Sequence, residues 1–231
     1  MSFYIYIIIL LALVSTLGYF RGRARNRWIG GWIASGTEEI LKPRDTNYTN
    51  IGGTIGYNFV YKLKNPFTEA KGTFTLLPRQ SILYYPISRL IARYDRFYMN
   101  IFLQGKLLGE GHIVSSDYYR RMRVPIAGES KLKKDRITLG NREYLLFWDN
   151  PSLKETLRNY ALSQEDRAGL NHFCCYKDNN TLFIYLSVRE REMFKKELSR
   201  FYSSIPDFMA KGAKKNGDRA GNAEPGDDIQ D

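Results

Sequence analysis

Few side chains in this sequence have the chemistry of a nucleophile or a metal ligand. There are two histidines, His112 and His172, and two adjacent cysteines, Cys174 and Cys175. His172 and Cys174 stand two positions apart, so a strand would place their side chains on one face and Cys175 on the other. An imidazole beside a thiol can generate a nucleophile, and His172 with both cysteines offers three metal ligands. Because the alternation separates the cysteines, we interpret this pattern as structural burial and predict neither a metal nor a cofactor.

A glycine-rich stretch, residues 105–112, is the other chemical candidate. It lacks the Gly-x-Gly-x-x-Gly spacing of a dinucleotide site and the Lys-Ser pair of a P-loop, so a hairpin turn explains it better. No set of nucleophile, base and orienting group is recognisable in the sequence. We therefore predict a non-enzymatic protein. The alternative is a membrane-tethered enzyme or small-ligand-binding domain that uses Cys174, His172, His112 or Glu110.

Basic residues are concentrated in one polar segment, residues 116–136, of a chain whose formal net charge is +11. Tyr118 and Tyr119 lie beside the arginines of this segment. Arginine binds phosphate, and arginine and tyrosine both stack on exposed bases, so the segment is a candidate for binding RNA or another anionic surface. A solvated loop is the alternative. The candidate residues are Arg120, Arg121, Arg123, Lys131, Lys133, Lys134 and Arg136.

The element that must position all of these is an apolar N-terminal segment. Residues 3–20 carry no charge, and four arginines follow within seven positions. Such a helix is about 27 Å long, which matches the hydrocarbon core of a bilayer. A cleaved signal peptide is the alternative, but it would need a basic residue before the apolar run and small residues where Tyr19 and Phe20 stand. The segment therefore predicts one uncleaved membrane span.

The flanking residues predict the orientation of the span. Arginines beside a membrane helix stay on the cytosolic side, so the N-terminus should lie outside or in the lumen and the rest of the chain in the cytosol. Two unpaired cysteines agree with a reducing compartment. The membrane is a cell membrane or one of the endoplasmic-reticulum type. The residues expected at its interface are Arg21, Arg23, Arg25, Arg27, Trp28 and Trp32.

The rest of the chain predicts an α+β fold, in which one transmembrane helix precedes a single cytosolic domain of antiparallel strands and helices. Strands are expected from period-two alternation, as in residues 97–103, and a hairpin from residues 171–188. Pro86 should bend or divide a helix near residues 81–94, and a polar loop should run to Gly53. The expected units are an anchor (1–27), a juxtamembrane helix and loop (28–50), the domain (51–209) and a disordered tail (210–231).

The order of these features resembles the calumin-like family, the endoplasmic-reticulum coiled-coil-domain membrane proteins of the PAT intramembrane chaperone complex. The similar motifs span roughly residues 12–209, although no long charged coiled coil follows the last helix here. The longest is Gly-Thr-Phe-Thr-Leu-Leu-Pro-Arg-Gln-Ser-Ile-Leu at residues 72–83. The others lie at residues 19–23, 31–32, 38–41, 90–93, 95–101 and 181–185.

The resemblance implies a non-enzymatic factor in membrane-protein biogenesis. Combined with the topology and the basic charge, it predicts a membrane-anchored binding or scaffold protein that assists membrane-protein insertion near the translocon or ribosome. Its expected partners are the membrane, the translocon, the ribosome or other RNA, and nascent membrane proteins. A further alternative is a structural subunit of a larger membrane complex, assembled through Trp28, Trp32 and the last helix.

Overall fold

A computed structural model of the chain describes residues 3–126, 128–165 and 169–210. These residues form five α-helices and nine strands, with short 3₁₀ helices at Glu129–Lys131 and Ile205–Phe208. The elements in chain order are α1 (Phe3–Leu41), β1 (Asp45–Asn50), β2 (Gly56–Lys62), β3 (Phe67–Thr75), α2 (Tyr84–Ala92), β4 (Asp95–Leu103), β5 (Gly111–Ser115), α3 (Ser116–Met122), β6 (Lys133–Leu139), β7 (Arg142–Trp148), α4 (Pro151–Leu162), β8 (Leu170–Tyr176), β9 (Thr181–Val188) and α5 (Arg191–Ser204).

The described strands form one antiparallel sheet in the order β1-β2-β3-β4-β9-β8-β5-β7-β6. The predicted hairpin is present, because β8 and β9 pair from Tyr176 and Thr181 outward. Strand β4 alternates strictly between buried and half-buried residues, as its sequence predicts. An apolar N-terminal helix followed by an antiparallel sheet with helices confirms the α+β prediction.

The helices cover the two faces of the sheet unequally. The C-terminal half of α1, together with α4, α5 and the last 3₁₀ helix, packs on one face and encloses the main core, with Phe97, Met99 and Phe173 fully buried there. On the opposite face, α3 and the segment after it cover a smaller cluster around Val114 and Phe147. We call this second face the open face.

Helix α1 corrects the predicted separation of a membrane anchor from a juxtamembrane helix. It runs without interruption from Phe3 to Leu41, through Gly30, Gly31 and Gly36. Glycine lowers helix propensity, yet packing compensates at two of these positions, since Gly30 faces Phe74 and Tyr57. Gly36 faces the side chains of Lys195 and Phe194. The anchor and the domain therefore share one helix.

Two further local predictions are wrong. Residues expected in a polar loop form β1, which pairs along its whole length with β2 at the edge of the sheet. Helix α2 is a single helix that begins at Tyr84, so Pro86 lies in its first turn. A proline is tolerated there because the first N–H groups of a helix have no partner within the helix. The predicted tail lies outside the described residues from position 211 onward.

Candidate membrane-proximal site

Helix α1 is the one helix in the described part of the chain that is long and apolar enough to cross a membrane. Its side chains are exposed on all sides up to Arg21, and burial begins at Gly22. Leu10, Leu11 and Leu17 are each at least 60% exposed, a state that water strongly disfavours for a whole helix. The boundary between the exposed apolar part of α1 and the folded domain therefore lies at residues 18–22.

At this boundary α1 packs against the turn that precedes α2. A Cβ at Gly22 would collide with the backbone carbonyl of Arg79, and a Cβ at Gly18 would collide with the side chain of Ile82. Gly22 thus permits a close backbone approach that any other residue would prevent, and a larger residue at Gly18 would require the Ile82 side chain to move. Because Gly18 belongs to the apolar segment, this turn lies at the same level as the end of the predicted span.

A buried polar network fixes the same junction. Asn26 is fully buried on α1, and its amide donates to the backbone carbonyl of Leu77 at 2.9 Å and to Gln80 at 3.2 Å. Arg79 donates to Asn26 Oδ1 at 3.0 Å and binds both carboxylate oxygens of Asp95 at 2.9 and 2.8 Å. Charge-assisted, two-bond pairs of this kind are strong and directional, so they hold the helix and the sheet in one orientation.

Helix α2 presents an apolar face to its surroundings. Its exposed residues follow the spacing i, i+1, i+4, i+7 and i+8, which places them within about one third of the helix circumference. Their exposed fractions range from 53% to 86%. A helix in water would turn such a face inward, whereas a helix at a bilayer surface places it among the acyl chains. The residues are Leu83, Tyr84, Ile87, Leu90 and Ile91.

A basic groove of about 1060 Å³ lies between α1, the turn before α2 and the start of α5. Gly18 and Ile82 line its apolar end, and Trp28 and Trp32 line another part of its wall. Five arginines line it against two carboxylates, of which Asp95 already pairs with Arg79. Such a groove fits an anionic lipid, because the arginines can bind the headgroup and the apolar residues can contact the upper part of the acyl chains. The arginines are Arg21, Arg25, Arg79, Arg189 and Arg191.

Most of the residues predicted at the membrane interface lie around this boundary. Arg21, Arg23, Arg25 and Arg27 are exposed, and the Arg25 guanidinium lies 4.7 Å from the centre of the half-exposed Trp28 ring. The assignment of Trp32 to the interface is corrected, since that side chain is only 8% exposed. It packs edge-on against Phe194 of α5, with 5.8 Å between the ring centres, and belongs to the core.

The predicted basic segment is divided among three elements. Arg120 and Arg121 lie on α3, Arg123 follows it, Lys131 ends a 3₁₀ helix, and the rest belong to the edge strand β6. Part of its charge is compensated, because Arg120 pairs with Asp117, Lys134 with Glu129 and Arg136 with Glu143. Lys134 also lies over the Tyr119 ring. The remaining four cations, Arg121, Arg123, Lys131 and Lys133, form no ion pair within the part of the chain that the structure describes.

The chemical candidates meet on the open face. Strand β5 lies beside β8, and His112 pairs with Cys174 in the sheet register. His112 Nδ1 is 3.2 Å from His172 Nε2, and His112 Nε2 is 3.8 Å from Cys174 Sγ and from a Glu110 carboxylate oxygen. Cys175 points to the opposite face and joins the main core. The sequence indicates that His172 and Cys174 share a face, but the addition of His112 depends on the pairing of strands sixty residues apart.

Burial sets the protonation of this cluster. It lowers the pKa of His112 to about 4 and the pKa of His172 to about 3, the latter with a smaller contribution from the neighbouring imidazole. Burial also raises the pKa of the Cys174 thiol well above its usual value. At neutral pH the cluster is uncharged, so the thiol is not an activated nucleophile in this state.

Comparison of the sequence with models of known protein families and with curated proteins returns no match. The proposals below therefore depend on the residues and geometry of this chain.

Proposed function

We propose that this chain is a single-span, non-enzymatic scaffold protein whose domain is held against the cytosolic surface of a membrane, where it assists membrane-protein insertion. The observation that carries the proposal is the apolar face of α2 beside the end of the apolar part of α1. Leu90 is 80% exposed and Leu83 86%, and the turn before them contacts α1 at Gly18. The domain thus has a second apolar element at the depth where the span leaves the bilayer.

The charge distribution supports the cytosolic orientation. Four exposed arginines surround the point at which α1 enters the domain, and short basic flanks of this kind stay on the cytosolic side. Arginines of the groove would bind anionic lipid headgroups, which are concentrated in the cytosolic leaflet. In this orientation the start of α1, at Phe3, faces the outside or the lumen.

The resemblance to the calumin-like family supports the role in membrane-protein biogenesis. Its longest motif, residues 72–83, builds the end of β3 and the turn that leads into α2 and packs against α1. Within it, Arg79 and Gln80 bind Asn26, and Ile82 contacts Gly18. The motif that carries the resemblance therefore constructs the membrane-proximal junction. A scaffold placed there would meet membrane helices as they leave a translocon.

The docking can be tested in the full-length protein reconstituted into vesicles that contain anionic lipid. A cysteine at Leu90 would carry an environment-sensitive fluorophore, and a cysteine at Leu162, which is 49% exposed on α4, is the matched control. The native cysteines are fully buried, which favours selective labelling. Brominated lipids should quench the label at position 90 and leave the label at position 162 bright. Equal, weak quenching at both positions would refute docking of α2.

The biogenesis role needs a separate measurement. Tagged full-length protein purified in mild detergent should carry translocon components, nascent membrane proteins or ribosomes, and ribosome co-sedimentation should weaken at high salt. The double variant R121E/R123E should reduce co-sedimentation if the basic segment contacts RNA. Absence of all these partners at low salt would contradict the biogenesis role and leave the docking result unaffected.

A further inference from the structure

The open face carries a compact set of metal-binding side chains that the membrane-anchored role does not use. Both histidines of the chain are in it, together with one of the two cysteines. Their donor atoms lie within 4.8 Å of one another, and His112, His172 and Cys174 are at most 6% exposed. The groups come from two neighbouring strands, β5 and β8, so the sheet itself fixes their separation.

The spacing is close to that of a coordination sphere. Bonds of about 2.0–2.3 Å from Zn²⁺ to nitrogen and sulfur place the donors of a tetrahedral site roughly 3.3–3.8 Å apart. His112 Nδ1 lies 3.2 Å from His172 Nε2, and the other nitrogen of the same ring, Nε2, lies 3.8 Å from Cys174 Sγ. An ion would bind only one of these two nitrogens, and with one donor atom taken from each residue all three donors lie within 4.8 Å of one another. Side-chain rotations that shorten the remaining donor separations from at most 4.8 Å would complete this geometry.

The surroundings supply an outer shell and an approach from solvent. Glu110 has a carboxylate oxygen 3.8 Å from His112 Nε2 and is 26% exposed. If His112 binds the ion through Nδ1, this carboxylate lies beside its second nitrogen, which is the usual outer-shell arrangement because it fixes the ring and strengthens the ligand. Tyr118 and Phe183 bound the cluster through ring contacts with His172. The surrounding side chains therefore exclude water from most of the site, and an ion from solvent can approach it past Glu110.

We propose that His112, His172 and Cys174 form a binding site for a borderline divalent cation of the Zn²⁺ class. Two neutral nitrogens and one sulfur match the ligand preference of that ion, and water would complete the coordination. On binding, the thiol S–H bond breaks, a sulfur–metal bond forms, and the proton leaves to solvent. Each neutral imidazole donates a lone pair from its unprotonated nitrogen, keeps its single N–H on the other nitrogen, and releases no proton.

The test uses Co²⁺ as a spectroscopic probe in the full-length protein in detergent. Wild type should bind about one Co²⁺ per chain and show a near-ultraviolet thiolate-to-metal band, which Zn²⁺ displaces. The C174S variant should lose the band. The C175S variant is the matched control, because Cys175 is equally buried and faces the other side of the sheet. It should keep the band.

A second variant keeps the test informative if C174S fails to fold. If circular dichroism shows that C174S is unfolded, H172N in a folded state should weaken Co²⁺ binding at least tenfold relative to C175S. The proposal is overturned if folded wild type shows no thiolate band at saturating Co²⁺, or if the band persists in folded C174S. In either case the imidazoles are a hydrogen-bonded core pair only.

Discussion

The Arg79 guanidinium binds both oxygens of the Asp95 carboxylate, at 2.9 and 2.8 Å, in a site where Asp95 is only 5% exposed. Asp95 begins β4, and Arg79 also donates to Asn26 on α1. The Leu77 backbone N–H also donates to Asp95 Oδ1, at a distance of 2.7 Å. Helix α1 is thereby joined to an interior strand of the sheet through three polar side chains and not through apolar contact alone.

Replacing Asn26 with alanine should loosen this junction. The substitution N26A removes the side-chain hydrogen bonds to the Leu77 carbonyl and to Gln80 and the bond from one Arg79 N–H, which costs about 1–3 kcal/mol of unfolding free energy. Arg27 is the matched control, since its side chain is exposed on the same turn. R27A should change stability by less than about 0.5 kcal/mol. Chemical unfolding in detergent, followed by near-ultraviolet circular dichroism, measures both; equal effects would contradict the network's role.

One added methyl group should have opposite effects at two glycines of α1. G22A brings a Cβ against the Arg79 carbonyl and should destabilise the domain by about 1–3 kcal/mol. At Gly31 a Cβ meets nothing within 4 Å, so G31A should stabilise it by about 0.5–1 kcal/mol through helix propensity. Unfolding curves under identical conditions compare the two. Destabilisation by both would indicate a general intolerance of the helix and not a contact at Gly22.

Glu197 should make the domain less stable as the pH rises. Burial raises its pKa to about 7, although a hydrogen bond from the Gly169 N–H and the charges of Arg142, Arg200 and Arg189 act in the opposite direction. Between pH 4.5 and 7 the unfolded carboxyl loses its proton before the folded one, so stability falls across this window. E197Q keeps an acceptor for Gly169 and should gain on the order of 2–3 kcal/mol at pH 8 relative to pH 4. A pH-independent gain would contradict this.

The histidine pair should produce the reverse trend in acid. The pKa values of about 4 and about 3 lie below the unfolded value of 6.5, so the unfolded state takes up protons first as the pH falls. Stability is complete above pH 6.5 and declines towards pH 3–4. At pH 5 the loss should be on the order of 1–2 kcal/mol per histidine. Unfolding in the E197Q background with a chelator isolates this effect, and H172N should reduce its slope.

The sequence predicts this fold where the signal is local. The charge-free run of residues 3–20 and the alternation of β4 give a helix long and apolar enough to cross a membrane and a strand without tertiary information. Asn150 is another local case, because its side chain accepts from the Ser152 N–H at 3.0 Å and caps α4 directly before Pro151. In each case neighbouring residues determine the structure.

The predictions are wrong where contacts between residues distant in the sequence determine the structure. Strand β1, Asp-Thr-Asn-Tyr-Thr-Asn, has no apolar alternation and is a strand because β2 offers it an edge. The glycines of α1 argue against a continuous helix until Phe74 and Phe194 are seen to pack on it. The histidine cluster likewise depends on β5 lying between β7 and β8, a strand order that no local pattern specifies.

The continuity of α1 has a mechanical consequence. A helix of 39 residues is a rod about 58 Å long, half in the predicted span and half in the domain core. With no hinge between the halves, the domain cannot swivel independently of the span. A change in the tilt or axial rotation of the span, caused by a neighbouring membrane helix or a change in bilayer thickness, turns the whole sheet by the same angle. Events within the bilayer are thereby converted into movement of the distant edge at β6, with its exposed lysines, relative to the membrane surface.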